Sequence, residues 1–173
     1  MEKPLFEETQ RNVALIIIPV MVSAIIGSLA LVQIATGKPV GNHPISDSGI
    51  IIVFLITVII GVLISSQKLK IIITKDEIIY SFGIFASRST VKITDVQRMS
   101  ITKYDPLTDF WGWGVKNNST TDCYTVSGDT GLELILPNRN RKILIGTNKP
   151  TELQLVLQAH FPDKLKSANE NKS

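Results

Sequence analysis

The stretch NVALIIIPVMVSAIIGSLALVQIATG, residues Asn12 to Gly37, decides the architecture because it contains no charged residue. A second uncharged stretch, SGIIIVFLITVIIGVLISSQ, runs from Ser48 to Gln67. The core of a bilayer needs about 20 mostly apolar residues in helical form, and a helix buried in a soluble protein seldom runs so far without a charge. Pro19 fits this interpretation, because transmembrane helices tolerate proline. The sequence therefore predicts two membrane spans, at 12–37 and 48–67.

The linker between the spans, Lys38 to Asp47, is short and contains turn-forming residues, which predicts an antiparallel helical hairpin. Lys38 is the only basic residue of this linker, whereas five flank the outer ends of the hairpin: Lys3, Arg11, Lys68, Lys70 and Lys75. The positive-inside rule then places both termini in the cytosol, and it places the linker with His43 outside. We expect a multi-pass protein of the cell (inner) membrane.

The composition narrows the range of functions. The chain has 173 residues, of which 44% are hydrophobic and 19% charged, and its net charge is +3. This charge is too small to favour nucleic-acid binding, and Cys123, the single cysteine, cannot form an internal disulfide. Neither predicted span holds an ionisable residue, although an ion or proton pathway usually contains one. Transport and channel activity are therefore disfavoured.

The residues after the spans, 68–161, are typical of a small β domain. Short runs of β-branched and apolar residues alternate with turn residues, and they predict seven strands, at 69–74, 77–82, 87–92, 97–104, 122–126, 131–136 and 141–145. From Pro150 the apolar residues recur with a helical period, which predicts a C-terminal amphipathic helix whose apolar stripe is Leu153, Val156, Leu157, His160 and Phe161. Residues 162–173 are predicted to be a disordered tail.

Two local motifs resemble the bacterial pleckstrin-homology-like (PH-like) membrane proteins. Gly112-Trp113-Gly114-Val115-Lys116 is similar to the Gly-Trp-Gly-Ile-Arg stretch of that family, and Ile145–Leu153, with Gly146 and Pro150, is similar to its entry into the final helix. The resemblance covers 68–161 and implies a membrane-anchored α+β fold. In it, a cytosolic N-terminus at 1–11 and a two-helix transmembrane hairpin at 12–67 precede a PH-like seven-stranded β barrel or sandwich, capped by the C-terminal helix. The resemblance carries no catalytic residues.

The residues that could carry chemistry are better explained by structural roles. His43 and His160 have no metal-ligand partners at usable spacing. Cys123 lies in a predicted strand without a nucleophile signature, and Asp105 and Asp109 are more typical of turn capping than of an acid–base pair. The sequence therefore predicts no catalytic, metal or cofactor site, and we do not expect an enzyme.

A binding or scaffolding module is the expected function, with the domain presented to a protein partner or to its own oligomer. The alternative is a sensor of anionic lipid headgroups that uses Lys68, Lys70 and Lys75, because each basic residue near an anionic surface contributes about 1 kcal/mol. Gly112 and Gly114 would let the backbone fold back on itself. This freedom predicts that Trp113 is buried and structural, whereas Trp111 is more exposed.

Overall fold

The computed structural model describes residues 3–41, 45–83 and 86–165, and the chain divides into two compact units. The helical unit is Asn12–Gln67, and the β unit combines Met1–Arg11 with Lys68–Ser173. The protein is thus α+β with two apolar helices near its N-terminus, as the sequence predicted. His43 lies outside the described residues.

The helical unit contains α1 (Ala14–Thr36) and α2 (Asp47–Ser65). Gly37 ends α1 with a left-handed φ of 61°, and the side chain of Ser46 caps α2 by accepting the Gly49 N–H at 3.2 Å. Both helices are long and apolar enough to cross a membrane, and only 6% of each apolar window is buried. A core helix of a soluble protein would be mostly buried, so this exposure favours membrane spans.

Two glycines bring α1 and α2 together. A Cβ atom added to Gly27 would lie 2.9 Å from the Phe54 ring, and one added to Gly61 would lie 3.0 Å from the Pro19 side chain. The distance at Gly27 is shorter than real Cβ contacts, and the distance at Gly61 is tighter than most of them, so a larger residue at either position would force its neighbour on the other helix to shift. Small residues at a helix–helix contact are typical of membrane hairpins.

The described part of the β unit contains nine strands in two open sheets. Sheet A has the order β1-β2-β3-β4, and sheet B has the order β5-β8-β9-β7-β6. The strands are β1 (Phe6–Gln10), β2 (Leu69–Ile73), β3 (Glu77–Phe82), β4 (Ala86–Lys92), β5 (Arg98–Lys103), β6 (Gly114–Asn117), β7 (Thr121–Thr125), β8 (Thr130–Ile135) and β9 (Lys142–Gly146). Neighbouring strands are antiparallel except β7 and β9, which are parallel.

All seven predicted strands are present, but the predicted number is too low and the sheets do not close into a single barrel. The two strands that were not predicted are β1 and β6. The helix α4 (Pro150–His160) begins at Pro150, as predicted, and a short helix α3 (Pro106–Phe110) was not predicted. The expected disorder from residue 162 is also wrong at its start, because Pro162–Lys164 form a 3-10 turn.

Strand β1 joins the two sheets through buried polar side chains. The Gln10 amide nitrogen donates to the Gly146 carbonyl at 2.6 Å. Glu8 is 6% exposed, and its carboxylate accepts from the Thr147 hydroxyl at 2.6 Å and from the Asn148 N–H at 2.9 Å. A buried carboxylate is tolerated when such hydrogen bonds replace its water. The segment before the first span is therefore part of the β unit.

The core of the β unit is apolar and lies between the sheets and α4. Its largest fully buried apolar side chains are Leu69, Ile71, Ile73, Ile78, Met99, Leu132, Leu134, Ile143, Ile145, Leu153 and Leu157. The rings of Tyr80 on β3 and Tyr124 on β7 meet edge to face at 4.8 Å, which connects sheet A to sheet B. His160 is exposed, so the buried stripe of α4 is narrower than predicted.

Candidate functional site

The segment around α3 is shaped by two aspartates. The Asp105 carboxylate caps the helix by accepting the N–H groups of Leu107 and Thr108, at 2.9 and 3.1 Å. Asp109 in turn accepts the Asp105 N–H at 2.8 Å. Hydrogen bonds from the Thr108 and Leu107 backbone lower the pKa of Asp105. Both side chains are thus engaged in local capping, which confirms the turn-capping interpretation.

Trp111 ends α3 in a conformation that usually requires glycine. Its φ is 58°, and the segment has the geometry of a left-handed helix end: the Trp111 N–H bonds the Leu107 carbonyl at 3.1 Å, and the Gly112 N–H bonds the Pro106 carbonyl at 2.7 Å. The indole is 89% exposed. The backbone strain therefore holds an aromatic ring in solvent, where it contributes little to the core.

Trp113 is not buried, so that prediction is wrong. The ring is 42% exposed, and its Nε1–H donates to the Gly128 carbonyl at 2.9 Å. The predicted order is nevertheless confirmed, because Trp111 is the more exposed of the two. The flanking Gly112 and Gly114 have φ of 112° and 136°, values open to glycine alone, so the predicted need for backbone freedom is confirmed.

Phe110 takes the buried position that was expected for Trp113. It is 6% exposed and meets Tyr104 edge to face at 6.1 Å, in a cluster with Cys123 and Leu144. The helix α3 turns its apolar Phe110 inward, and the chain then turns back through the glycines. The sequence does not reveal this burial because three aromatic residues, at 110, 111 and 113, lie within four positions and spacing alone does not distinguish them.

Four large apolar side chains of this segment are exposed, and we call them the Trp cluster: Leu107, Trp111, Trp113 and Val115. Their exposed fractions are 67%, 89%, 42% and 42%, in the same order. Among the described residues of the β unit, the only other large apolar side chain of comparable exposure is Leu155, on α4. Concentration of exposed apolar groups in one nine-residue segment makes the segment a candidate binding surface.

A second surface lies on the outward face of sheet A. We call it the outer hollow; its volume is about 500 Å³, and it is lined by Pro4, Glu7, Ile72, Thr74, Asp76, Glu77, Ile79 and Arg88. Glu7 on β1, Ile72 on β2 and Ile79 on β3 are successive partners across the sheet. The two isoleucines are half-buried and form its apolar floor, and charged side chains surround them.

The structure separates the three lysines of the lipid-sensing alternative. Lys68 precedes β2, and Lys70 on that strand is paired with the Glu7 carboxylate at 2.8 Å. Lys75 lies in the turn at the other end of β2, next to Lys3. Because a strand rises about 3.3 Å per residue, the backbone of Lys75 is on the order of 20 Å from that of Lys68. The three side chains do not converge on one headgroup.

The residues considered for chemistry take structural positions. Cys123 is fully buried, and burial raises the pKa of its thiol to about 11 while the thiol donates to the Thr125 hydroxyl. Burial also raises the pKa of Tyr80 and of Tyr104 to about 12. The core-thiol interpretation of Cys123 is confirmed. Within the described residues, no group of three His, Cys, Asp or Glu side chains is close enough to hold a metal ion.

The motif residues of the C-terminal segment have clear roles. Gly146 ends β9, packs against Thr125 on β7 and accepts the Gln10 amide, and Pro150 starts α4. No protein-family model, curated protein or solved structure matches this chain.

Proposed function

We propose that this chain is a membrane-anchored binding module of the PH-like kind. Its helical hairpin spans the cell (inner) membrane, and its β unit, in the cytosol, binds a protein partner or a second copy of the chain. The basic flanks of the hairpin support the cytosolic side. Pairing of Gln10 with Leu69 adds support, because these residues precede and follow the hairpin and are neighbours in one sheet. Both outer ends of the hairpin must then lie on the same side of the membrane.

The PH-like assignment is supported by the order of the elements. Consecutive antiparallel strands form sheet A, and the last strand of sheet B leads through Gly146 and Pro150 into a C-terminal helix that buries Leu153 and Leu157. Two features depart from the expected pattern: β1 lies before the membrane hairpin, and β7 is parallel to β9. The additional strand lengthens sheet A and contributes its Glu7 to the outer hollow.

The outer hollow is the observation that carries the binding function. Its floor of Ile72 and Ile79 is open to solvent and suits an apolar side chain of a partner. Of the three acidic residues that line it, Glu7 is paired with Lys70, which leaves Asp76 and Glu77 against a single arginine, Arg88. Charge complementarity then favours a partner segment that carries basic groups around an apolar residue. An open surface of this kind fits a polypeptide better than a small molecule.

The lipid-sensing alternative has less support. Lys70 is already neutralised by Glu7, and the backbones of Lys68 and Lys75 lie at opposite ends of β2. A diffuse attraction of single lysines to an anionic surface remains, but that attraction would not distinguish one headgroup from another.

Site-specific photocrosslinking in intact cells tests the proposed function. A photoreactive amino acid at Ile79 should give a discrete protein adduct, and the same amino acid at the exposed Gln154 on α4 should not. The adduct should be lost on introducing Ile72→Glu, which places a charge on the floor of the outer hollow. The mass of the adduct distinguishes a second copy from another protein. Equal labelling at both positions, or an adduct that survives Ile72→Glu, would show that the outer hollow is not the binding surface.

A further inference from the structure

The Trp cluster lies at the end of sheet B where β1 docks. Gly114, the residue after Trp113, is paired with Thr125 on β7, and Thr125 packs against Gly146 on β9. The Gly146 carbonyl accepts the amide of Gln10, the last residue of β1. The backbone next to Trp113 is therefore two strand spacings, about 10 Å, from the β9 residue that Gln10 contacts.

This end of the β unit is also close to the start of the first span along the chain. Only Arg11, Asn12 and Val13 separate Gln10 from the first residue of α1. The four residue steps from Gln10 to Ala14 reach at most about 14 Å. If α1 enters the bilayer as proposed above, the chain link keeps Gln10 near the membrane surface, and Gln10 lies at the end of the β unit that carries the Trp cluster.

The chemistry of the cluster fits the interface between lipid headgroups and acyl chains. Indole rings favour this level of the membrane because they combine an apolar body with an N–H donor. Along the chain the charges near the cluster are balanced, because two acids, Asp105 and Asp109, stand against two lysines, Lys103 and Lys116. Binding of this segment to the membrane would thus be driven by insertion of its apolar side chains and not by attraction to anionic lipid.

The strained backbone at Trp111 supports a role outside the core. A left-handed φ strains a residue that has a Cβ atom, and the 89% exposed indole recovers little of this strain within the β unit. A glycine at this position would end the helix without strain. The presence of a tryptophan at this position is explained if its ring is buried in the bilayer.

We propose that Trp111, with Leu107, Trp113 and Val115 around it, inserts into the interface of the bilayer and fixes the orientation of the β unit on the membrane. This inference rests on the membrane anchoring proposed above and does not depend on the outer hollow. The ligand is the lipid interface itself, without selection for a charged headgroup.

Fluorescence of the full chain in nanodiscs of zwitterionic phosphatidylcholine tests this inference. The chain has two tryptophans, so Trp113→Phe leaves Trp111 as the only indole. Phosphatidylcholine brominated near the headgroup should quench Trp111, and aqueous iodide should quench it weakly. The matched control is Asn138→Trp in a Trp111→Phe, Trp113→Phe background. It places an indole in the β8–β9 turn, at the other end of sheet B, where iodide should quench it and brominated lipid should not.

Each other outcome overturns the inference. Quenching of Trp111 by iodide as strong as that of the control indole would show that the ring remains in water. Shielding of Trp111 from both quenchers would show that it packs against a second copy of the chain. Quenching by lipid that requires added anionic lipid would contradict the charge-independent insertion. Membrane anchoring is measured separately, by retention of the chain in membranes after an alkaline carbonate wash, so failure of the anchor is distinguishable from failure of this inference.

Discussion

The β unit should fold without the helical unit only if β1 is kept. β1 pairs with β2 over five residues, from Phe6 opposite Ile73 to Gln10 opposite Leu69. Because the strands are antiparallel and adjacent, a two-residue Asn-Gly turn between Arg11 and Lys68 can replace residues 12–67. We expect this fusion of 3–11, Asn-Gly and 68–165 to unfold cooperatively. A chain that begins at Lys68 should be largely unfolded.

The magnitude follows from the side chains that β1 buries. Phe6 is 2% exposed, and truncation of a buried Phe to Ala costs about 3–5 kcal/mol. Each hydrogen bond to the Glu8 carboxylate contributes about 1.5–3 kcal/mol. Loss of β1 therefore removes on the order of 6 kcal/mol or more, before its backbone pairing is counted. This is comparable to the roughly 5–15 kcal/mol by which a whole domain is stable.

Thermal and urea unfolding followed by circular dichroism measure the difference. Within the fusion, Phe6→Ala should lower the free energy of unfolding by about 3–5 kcal/mol. Thr9→Ala is the matched control, because Thr9 lies on the exposed face of the same strand and should change stability little. If the chain beginning at Lys68 melts at the temperature of the fusion, β1 is dispensable and its buried contacts contribute nothing measurable.

Three further predictions concern the thiol, the linker and the strained turn. The pKa of Cys123 is raised from 9.0 to about 11, so its protonated form stabilises the fold below pH 9, and this contribution is lost as the pH rises through 11. Urea titrations of the fusion at increasing pH should show this decline in stability, and Cys123→Ala should make the decline smaller. In whole cells, Pro39→Cys in a Cys123→Ser background should react with an impermeant thiol reagent, because the linker is expected outside. If Pro39→Cys is not labelled and Gln154→Cys, at an exposed position of α4, is labelled instead, the topology is the reverse. Trp111→Gly should stabilise the fusion by about 1 kcal/mol because it relieves the left-handed φ, and a lower melting temperature would show that the indole supports the fold.

The sequence predicted the strands whose inward residues are apolar. Ile78, Tyr80 and Phe82 alternate along β3, and their burial confirms the pattern. The same alternation exists in β1, but two of its inward residues are Glu8 and Gln10. A segment with such polar residues is predicted from hydropathy to be exposed to solvent. Its burial depends on hydrogen-bond partners far along the chain, and no local pattern reveals them.

The functional surfaces were harder to predict for a related reason. The outer hollow combines residues from four strands, so Ile72 and Ile79 become neighbours only through the register of sheet A. Trp111 and Trp113 were identified as candidates from composition, but their exposure depends on which ring α3 turns inward. The structure gives that position to Phe110, because the helix ends one residue later at Trp111.

The two proposed surfaces are compatible with one protein because they lie at different parts of the β unit. Gln10 and Leu69 are paired at the end of sheet A that connects to the spans, whereas Thr74 and Asp76 border the outer hollow at the far end of β2. The five residue steps from Leu69 to Thr74 extend about 16 Å along the strand. With Trp111 inserted at the near end, the outer hollow would remain clear of the headgroups and open to a cytosolic partner. Insertion at one end of the β unit would thus orient the binding surface at the other end. If partner binding depends on that orientation, Trp111→Ser should weaken the photocrosslinked adduct formed at position 79.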